Sequence, residues 1–153
     1  DVVVIATPWH NTQAALAATD GLAGRIVMDC TNPLNRGEAG IELALGFDTS
    51  GGELVQSWIP DARVVKAFNS TGFANMDQAP FPDGRPVMFY CGDDADAKQV
   101  CHELTDEIGF EAIDAGGLTV SRLLEPYAML WIHMAMSGQG RNFAYGLLRR
   151  PPE

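Results

Sequence analysis

The sequence is poor in positive charge: ten Lys and Arg stand against twenty Asp and Glu, for a formal net charge of −10. It holds no basic run, and its tightest cationic cluster is Arg149-Arg150. Nucleic-acid backbones and anionic membrane surfaces both demand clustered cations, so the charge balance argues against either as a partner. Cysteine is sparse as well. Cys30, Cys91 and Cys101 form no CxxC pair, and an odd, scattered set fits a reducing cytoplasm better than a disulfide framework. His102 and His133 have no Cys, His or carboxylate at metal spacing, which argues against zinc. The longest apolar run falls well short of roughly 18 residues, so no membrane span is expected. No segment reads as a signal peptide. An initiator Met is lacking too, and no turn precedes the first strand, a pattern that predicts an N-terminally truncated domain.

What is present suits one domain over residues 1–153, incomplete at its N-terminus. A hydrophobic share of 46% and a charged share of 20% are ordinary for a globular chain with a packed core. Residues 2–6 are a β-branched run typical of a strand covered on both faces, ended by Thr7-Pro8. Asn11 or Thr12 can cap a short helix with Ala15, Leu16 and Ala18 on its apolar face, closed near Gly21. A second strand at 26–28 runs out through Asp29-Cys30-Thr31-Asn32-Pro33-Leu34. Residues 35–50, punctuated by glycine, read as loop. Ser50 with Glu53 forms a capping box for a helix carrying Leu54, Val55 and Trp58, stopped by Pro60.

Residues 63–69 predict a third strand. A loop with Pro80, Pro82, Asp83-Gly84 and Pro86 leads to a fourth at 87–91. Asp93 or Asp94 caps an amphipathic helix with Ala97, Val100, Leu104 and Ile108 on one face and Gly109 as its stop. A fifth strand follows at 110–113. From 119 to 137 the pattern is helical and apolar nearly all round, which predicts a C-terminal helix that is buried or lies at a subunit contact; a homodimer is therefore one expectation.

Alternating strands and helices define an α/β fold: a doubly wound, mostly parallel, Rossmann-like sheet. Ligands of such sheets bind beyond the carboxyl ends of the strands. That rule selects Thr7, Pro8, Trp9 and His10, then Thr31 to Leu34, then Ala67, Phe68, Asn69 and Ser70.

Those segments also carry a resemblance. Ala6-Thr7-Pro8-Trp9, then Asp29-Cys30-Thr31-Asn32-Pro33-Leu34, then Val64-Val65-Lys66-Ala67-Phe68-Asn69 resemble the NADPH-dependent coenzyme F420 reductase family. Glu125-Pro126-Tyr127-Ala128 with Leu130-Trp131 fits the same family. More distantly, the chain is similar to the cofactor domains of pyrroline-5-carboxylate reductase and of STEAP-type metalloreductases. The resemblance implies a front half ahead of residue 1 bearing Gly-x-Gly-x-x-Gly, whose backbone N–H groups hold the dinucleotide pyrophosphate. Gly37, Gly40 and Gly46 do not replace it, because no strand leads into them and no helix opens from them.

The resemblance further implies hydride transfer between NADP(H) and a deazaflavin such as F420, or a flavin-like acceptor. Thr7, Pro8, Trp9, Asn32, Pro33, Ala67, Phe68 and Asn69 would line the nicotinamide side of the cofactor. Ala67 is small enough for a flat ring to approach the backbone, and Asn69 offers both donor and acceptor. Asn32 and Asn69 can equally be turn residues, and Trp9 can stack on a ring or pack the sheet. No side chain is assigned proton chemistry, since the cofactors carry the reaction; His10 reads as a polar turn residue. Lys66 reads as solvated or paired, with a phosphate contact as the alternative, and Cys30 as a structural thiol. Two rival functions remain: a non-catalytic Rossmann-like binding module lacking the phosphate loop, and a reductase of a small imine or hydroxy acid.

Overall fold

The computed structural model describes residues 1–38, 40–77, 79 and 81–150. Pro80 of the long loop and residues 151–153 of the expected single domain lie outside the described residues. Strands β1 (Val2–Ile5), β2 (Ile26–Asp29), β5 (Arg63–Lys66), β6 (Val87–Gly92) and β7 (Glu111–Asp114) form one sheet in the order β1-β2-β5-β6-β7. The pairs β1–β2, β2–β5 and β6–β7 are parallel, and only β5–β6 is antiparallel. The expected mostly parallel α/β sheet is thus observed.

Strand alternation divides the apolar residues between two faces. Ile5, Val27 and Val64 point to one face, where they pack with Leu16 of α1 (Trp9–Ala17), Val55 of α2 (Gly51–Trp58) and Leu118. Met28, Val65 and Met88 point to the other, packed with Ala97 and Cys101 of α4 (Ala95–Ile108) and with Phe110. The first face is closed over β2 and β5, where Val27 and Val64 are buried. On the second, α4 covers the middle and the β6–β7 end but leaves β1 open: Val4 is 58% exposed, whereas Val27 on the closed face is fully buried.

Helix ends follow the sequence signals where a polar side chain can reach an unpaired amide. Asp94 caps α4 by accepting from the Ala97 amide at 2.7 Å, and Gly109 ends it in the left-handed conformation at φ 106°. Ser50 caps α2, its Oγ accepting from the Glu53 amide and donating to the Glu53 carboxylate at 2.6 Å. At α1 the expected cap gives way. The helix starts at Trp9 with Pro8 as its cap residue, because the Thr12 hydroxyl bonds back to Thr7 and to the Pro8 carbonyl instead of capping a later start.

Residues 35–50 are not all loop. β3 (Leu34–Gly37) and β4 (Gly40–Leu43) form an antiparallel hairpin. Gly40 makes the turn at φ 122°, and alternate Ile41 and Leu43 are half-buried. The hairpin is tied back at its base, where the Ala44 amide donates to the Pro33 carbonyl. The long loop after β5 also holds a single helical turn, α3 (Ala74–Asp77). The last helix is α5 (Ser121–Met134), entered through a 3₁₀ turn and followed by a π-type turn at Ala135–Gln139. Leu124, Glu125, Ala128 and Trp131 make its buried stripe, while Leu123 and Leu130 stay exposed.

Candidate functional site

A cavity of about 820 Å³ opens at the carboxyl ends of β1 and β2, where the topology rule puts ligands. Thr7, Pro8, Trp9, Asn32 and Phe68 form its wall at the strand ends. The cavity continues over the uncovered sheet face, past Val4 and Met28 to Leu104 and Ile108 of α4. Phe73, 80% exposed, stands on its rim. The site is therefore an apolar slot with a few polar groups at one end, the usual composition of a small-molecule pocket.

Three residues expected at this site sit behind the wall. Pro33, Ala67 and Asn69 are buried and do not line the cavity. Asn69 is held in a reciprocal pair: Asn32 Nδ2 donates to the Asn69 carbonyl at 2.7 Å, and Asn69 Nδ2 donates to Asn32 Oδ1 at 3.1 Å. Asn69 Nδ2 also donates to the Leu124 carbonyl of α5 at 3.2 Å. Its amide donor is therefore spent on the protein, and its Oδ1 is buried without a partner among the described residues.

The turn after β5 has an unusual backbone. Phe68 is buried in the left-handed region at φ 57°, which costs a non-glycine residue about 1–2 kcal/mol. The kink breaks strand alternation, so Ala67 and Phe68 both join the cluster on the α4 side. Phe68 meets Phe110 edge-on at 6.1 Å between centroids. Trp9 packs on Trp58 at 5.5 Å, tilted by 30°, and still reaches the cavity wall.

Beneath the wall lies an ionic cluster. Lys66, Asp29 and Glu125 are each almost wholly shielded from solvent. Lys66 Nζ donates to Asp29 Oδ2 at 2.8 Å and to the Thr31 carbonyl at 2.7 Å, and lies 2.8 Å from Glu125 Oε1. Burial disfavours the ammonium, but the Asp29 and Glu125 carboxylates outweigh it and raise its pKa above the ordinary lysine value. Asp29 Oδ1 accepts from the Thr31 amide and hydroxyl. Glu125 accepts from the Gly51 and Gly52 amides at the start of α2, at 2.9 and 3.0 Å. Both glycines sit in tight quarters there. A Cβ on Gly51 would lie 3.0 Å from Glu125 and 3.2 Å from the Trp9 ring, and one on Gly52 would collide with Ser121 Oγ at 2.5 Å.

Lys66 is thus paired, not solvated. Cys30 lines the cavity, but burial first and Asp29 second push its thiol up to about 12, so it is no nucleophile near neutral pH. Sequence reading passed over Glu125 as a site residue. Its signal was a carboxylate inside an otherwise apolar helical stretch.

No family model matches the chain. A mostly parallel α/β sheet with an apolar slot at its strand ends defines a Rossmann-like fold. The crystal structure of a protein from Arthrobacter sp. FB24, assigned as an F420-dependent NADP reductase, superposes with a TM-score of 0.89 at 32% identity, covering 97% of this chain and 70% of that one. The F420-dependent NADP reductase of Methanocaldococcus jannaschii is 32% identical over 136 residues, 86% of this chain and 60% of the relative. The rat metalloreductase STEAP3 is 30% identical over 125 residues, 82% of this chain and 24% of that protein. The chain belongs to the F420-dependent NADP reductase family. It spans about 60% of the length of the Methanocaldococcus relative.

Proposed function

We propose that this chain forms the nicotinamide-binding side of an oxidoreductase that passes hydride between NADP(H) and coenzyme F420 or a flavin-like acceptor. The observation that carries the reading is the apolar slot walled by Thr7, Pro8, Trp9, Asn32 and Phe68. A nicotinamide ring fits its chemistry: flat apolar walls for the ring, and the Asn32 carboxamide at the polar end for an amide substituent. The pyrophosphate is not matched in the same way, because the sequence holds no Gly-x-Gly-x-x-Gly. The open sheet face and the free edge of β1 suit a further βαβ unit bearing that loop. The extra length of the relatives supports this arrangement of an incomplete domain.

NADPH, when bound, would supply a hydride, two electrons with one proton, for the acceptor ring. The residues of this chain hold and shield the rings. Thr7, Pro8 and Trp9 would support one edge of the nicotinamide and Phe68 the floor, with Ala67 and Asn69 fixing the turn behind. Orientation and water exclusion are the protein's contribution, and no side chain here need move a proton. The exposed Leu123 and Leu130 on α5 would meet a second copy in a homodimer, which light scattering after size exclusion would detect as twice the chain mass. Among the described residues no helix is long and apolar enough to cross a membrane, and a cytoplasmic site of action is part of the proposal.

The test is turnover by the full product of this reading frame. NADPH oxidation with F420 or FMN, and none with cyclic imines, is the expected result. Turnover of imines alone would overturn it. Titrating NADPH into the 153-residue chain should give much weaker binding than into the longer product.

A further inference from the structure

We infer that Lys66 is a positioning residue for this site: through the Thr31 carbonyl it sets the Asn32–Asn69 pair that borders the ring slot. The inference rests on the hydride-transfer reading above for its kinetic consequence, but not for its structural one.

The bonds around Lys66 form a closed circuit. Lys66 Nζ holds the Thr31 carbonyl. Residue 31 is fixed at its amide and hydroxyl by Asp29, itself bound to Lys66. The next residue, Asn32, exchanges two hydrogen bonds with Asn69. Asn69 reaches the Leu124 carbonyl, and the neighbouring Glu125 returns the circuit to Lys66. Two N–H donors of the ammonium go to Asp29 and to the backbone of the site, and the Glu125 carboxylate lies 2.8 Å away as an ion-pair partner.

A purely stabilising role would not call for this arrangement. Burying an ion cluster costs so much desolvation that apolar side chains of similar volume often serve stability as well. What apolar side chains cannot supply is a directed donor beneath the Thr31 carbonyl. Without it, the peptide between Thr31 and Asn32 loses the donor that β5 supplies to it, and the Asn32 carboxamide loses part of what fixes its aim along the cavity wall. Lys66 touches no ligand in this scheme and acts through Thr31 and Asn32.

Two variants separate positioning from stability. Lys66→Met/Glu125→Gln removes one charge of each sign and so preserves the cluster's net charge, while deleting the donor to Thr31. Glu125→Gln alone leaves that donor in place. In ¹⁵N spectra of this chain, the Asn32 and Asn69 side-chain amide signals should move and broaden in the double variant and hold their positions in Glu125→Gln. Equal shifts in both variants, or none in either, would overturn the inference. In the full product, the double variant should lose kcat by at least ~10-fold with KM for NADPH within about twofold, since ring orientation sets the rate and the phosphates set affinity. A rise in KM with kcat unchanged would also overturn it.

The unsubstituted protein provides a readout that needs neither variant to fold. Its Asn32 and Asn69 amide protons should exchange with water about 100-fold more slowly than those of exposed Asn35, and Lys66 Nζ should couple across its hydrogen bond to the Thr31 carbonyl. Rapid exchange at Asn32, or no such coupling, would refute the circuit. If the full product fails to oxidise NADPH in the presence of F420 or FMN, the hydride-transfer reading fails while the spectra still decide the role of Lys66.

Discussion

The two faces of the sheet are built to different standards of closure. On the face covered by α1 and α2, the apolar positions Val27, Val55 and Val64 are almost wholly buried, and the charged groups there, Lys66, Asp29 and Glu125, are paired with one another. On the α4 face Met88, Cys101 and Phe110 are as fully buried, yet the core stops at β2 and leaves Val4 in the open. The closed face fixes the strand ends, whereas the open one leaves room beside them. The slot is thus flanked by a wall whose backing residues are buried and hydrogen-bonded. Closure was spent where it holds Asn32 and Asn69, and withheld where the cavity extends.

The largest effect should come from breaking the closed face at its ionic cluster. Glu125→Ala leaves the Lys66 ammonium short of one partner and the Gly51 and Gly52 amides without theirs. Removal of one partner from a buried pair costs roughly 3–5 kcal/mol, to be read as a lower midpoint in urea unfolding. A loss under about 1 kcal/mol would mean that water reaches the cluster and that the face is less closed than described.

A second test uses alkaline pH, because thiols are buried on both sides of the sheet. Burial raises Cys30 and Cys101 from 9.0 to about 12 and Cys91 from 9.0 to about 11. In each case the folded pKa lies above the unfolded one, so between about pH 9 and 11 the unfolded chain has released protons that the folded chain still holds. Stability is therefore full below pH 9 and declines as pH rises through that window, on the order of 1 kcal/mol per thiol by pH 10. Lys66, raised above 10.5, adds to the decline only at higher pH. Unfolding followed from pH 8 to 10.5 should show the slope, and Cys101→Ala should reduce it. A flat profile would show that the thiols ionise freely in the folded protein.

Much of this architecture is legible in the residues. The β-branched runs, the Ser50 and Asp94 caps and the Gly109 stop mark local preferences that the tertiary structure keeps. The strand-end segments are legible because a doubly wound sheet leaves few other places for a ligand. Two things are not. The hairpin at Leu34–Gly37 and Gly40–Leu43 has only two half-buried apolar residues on its return strand, too weak an alternation to stand out among glycines. The Asn32–Asn69 pair depends on a left-handed turn at Phe68 and on α5 arriving opposite, and no local pattern encodes either. Glu125 shows the same limit, since an isolated carboxylate on an apolar helix announces a buried partner without naming Lys66.

The smallest effect is the most direct measure of the difference between the faces. Val27 and Val4 are both β-branched strand residues one pairing step apart in the β1–β2 ladder, where Val27 pairs with Val3 and Val4 with Met28. Alanine at 27 removes two methyl groups from a fully buried site and should cost roughly 2 kcal/mol, as transfer energy plus an unfilled cavity. Alanine at 4 removes the same atoms from a side chain that is 58% exposed and should cost under about 0.5 kcal/mol. Urea unfolding of the two variants measures the gap. Equal costs would mean that something covers Val4 in solution. Repeating the Val4→Ala measurement in the full product then gives the sharper result: if a further layer closes that face, the cost at position 4 should rise toward that at position 27.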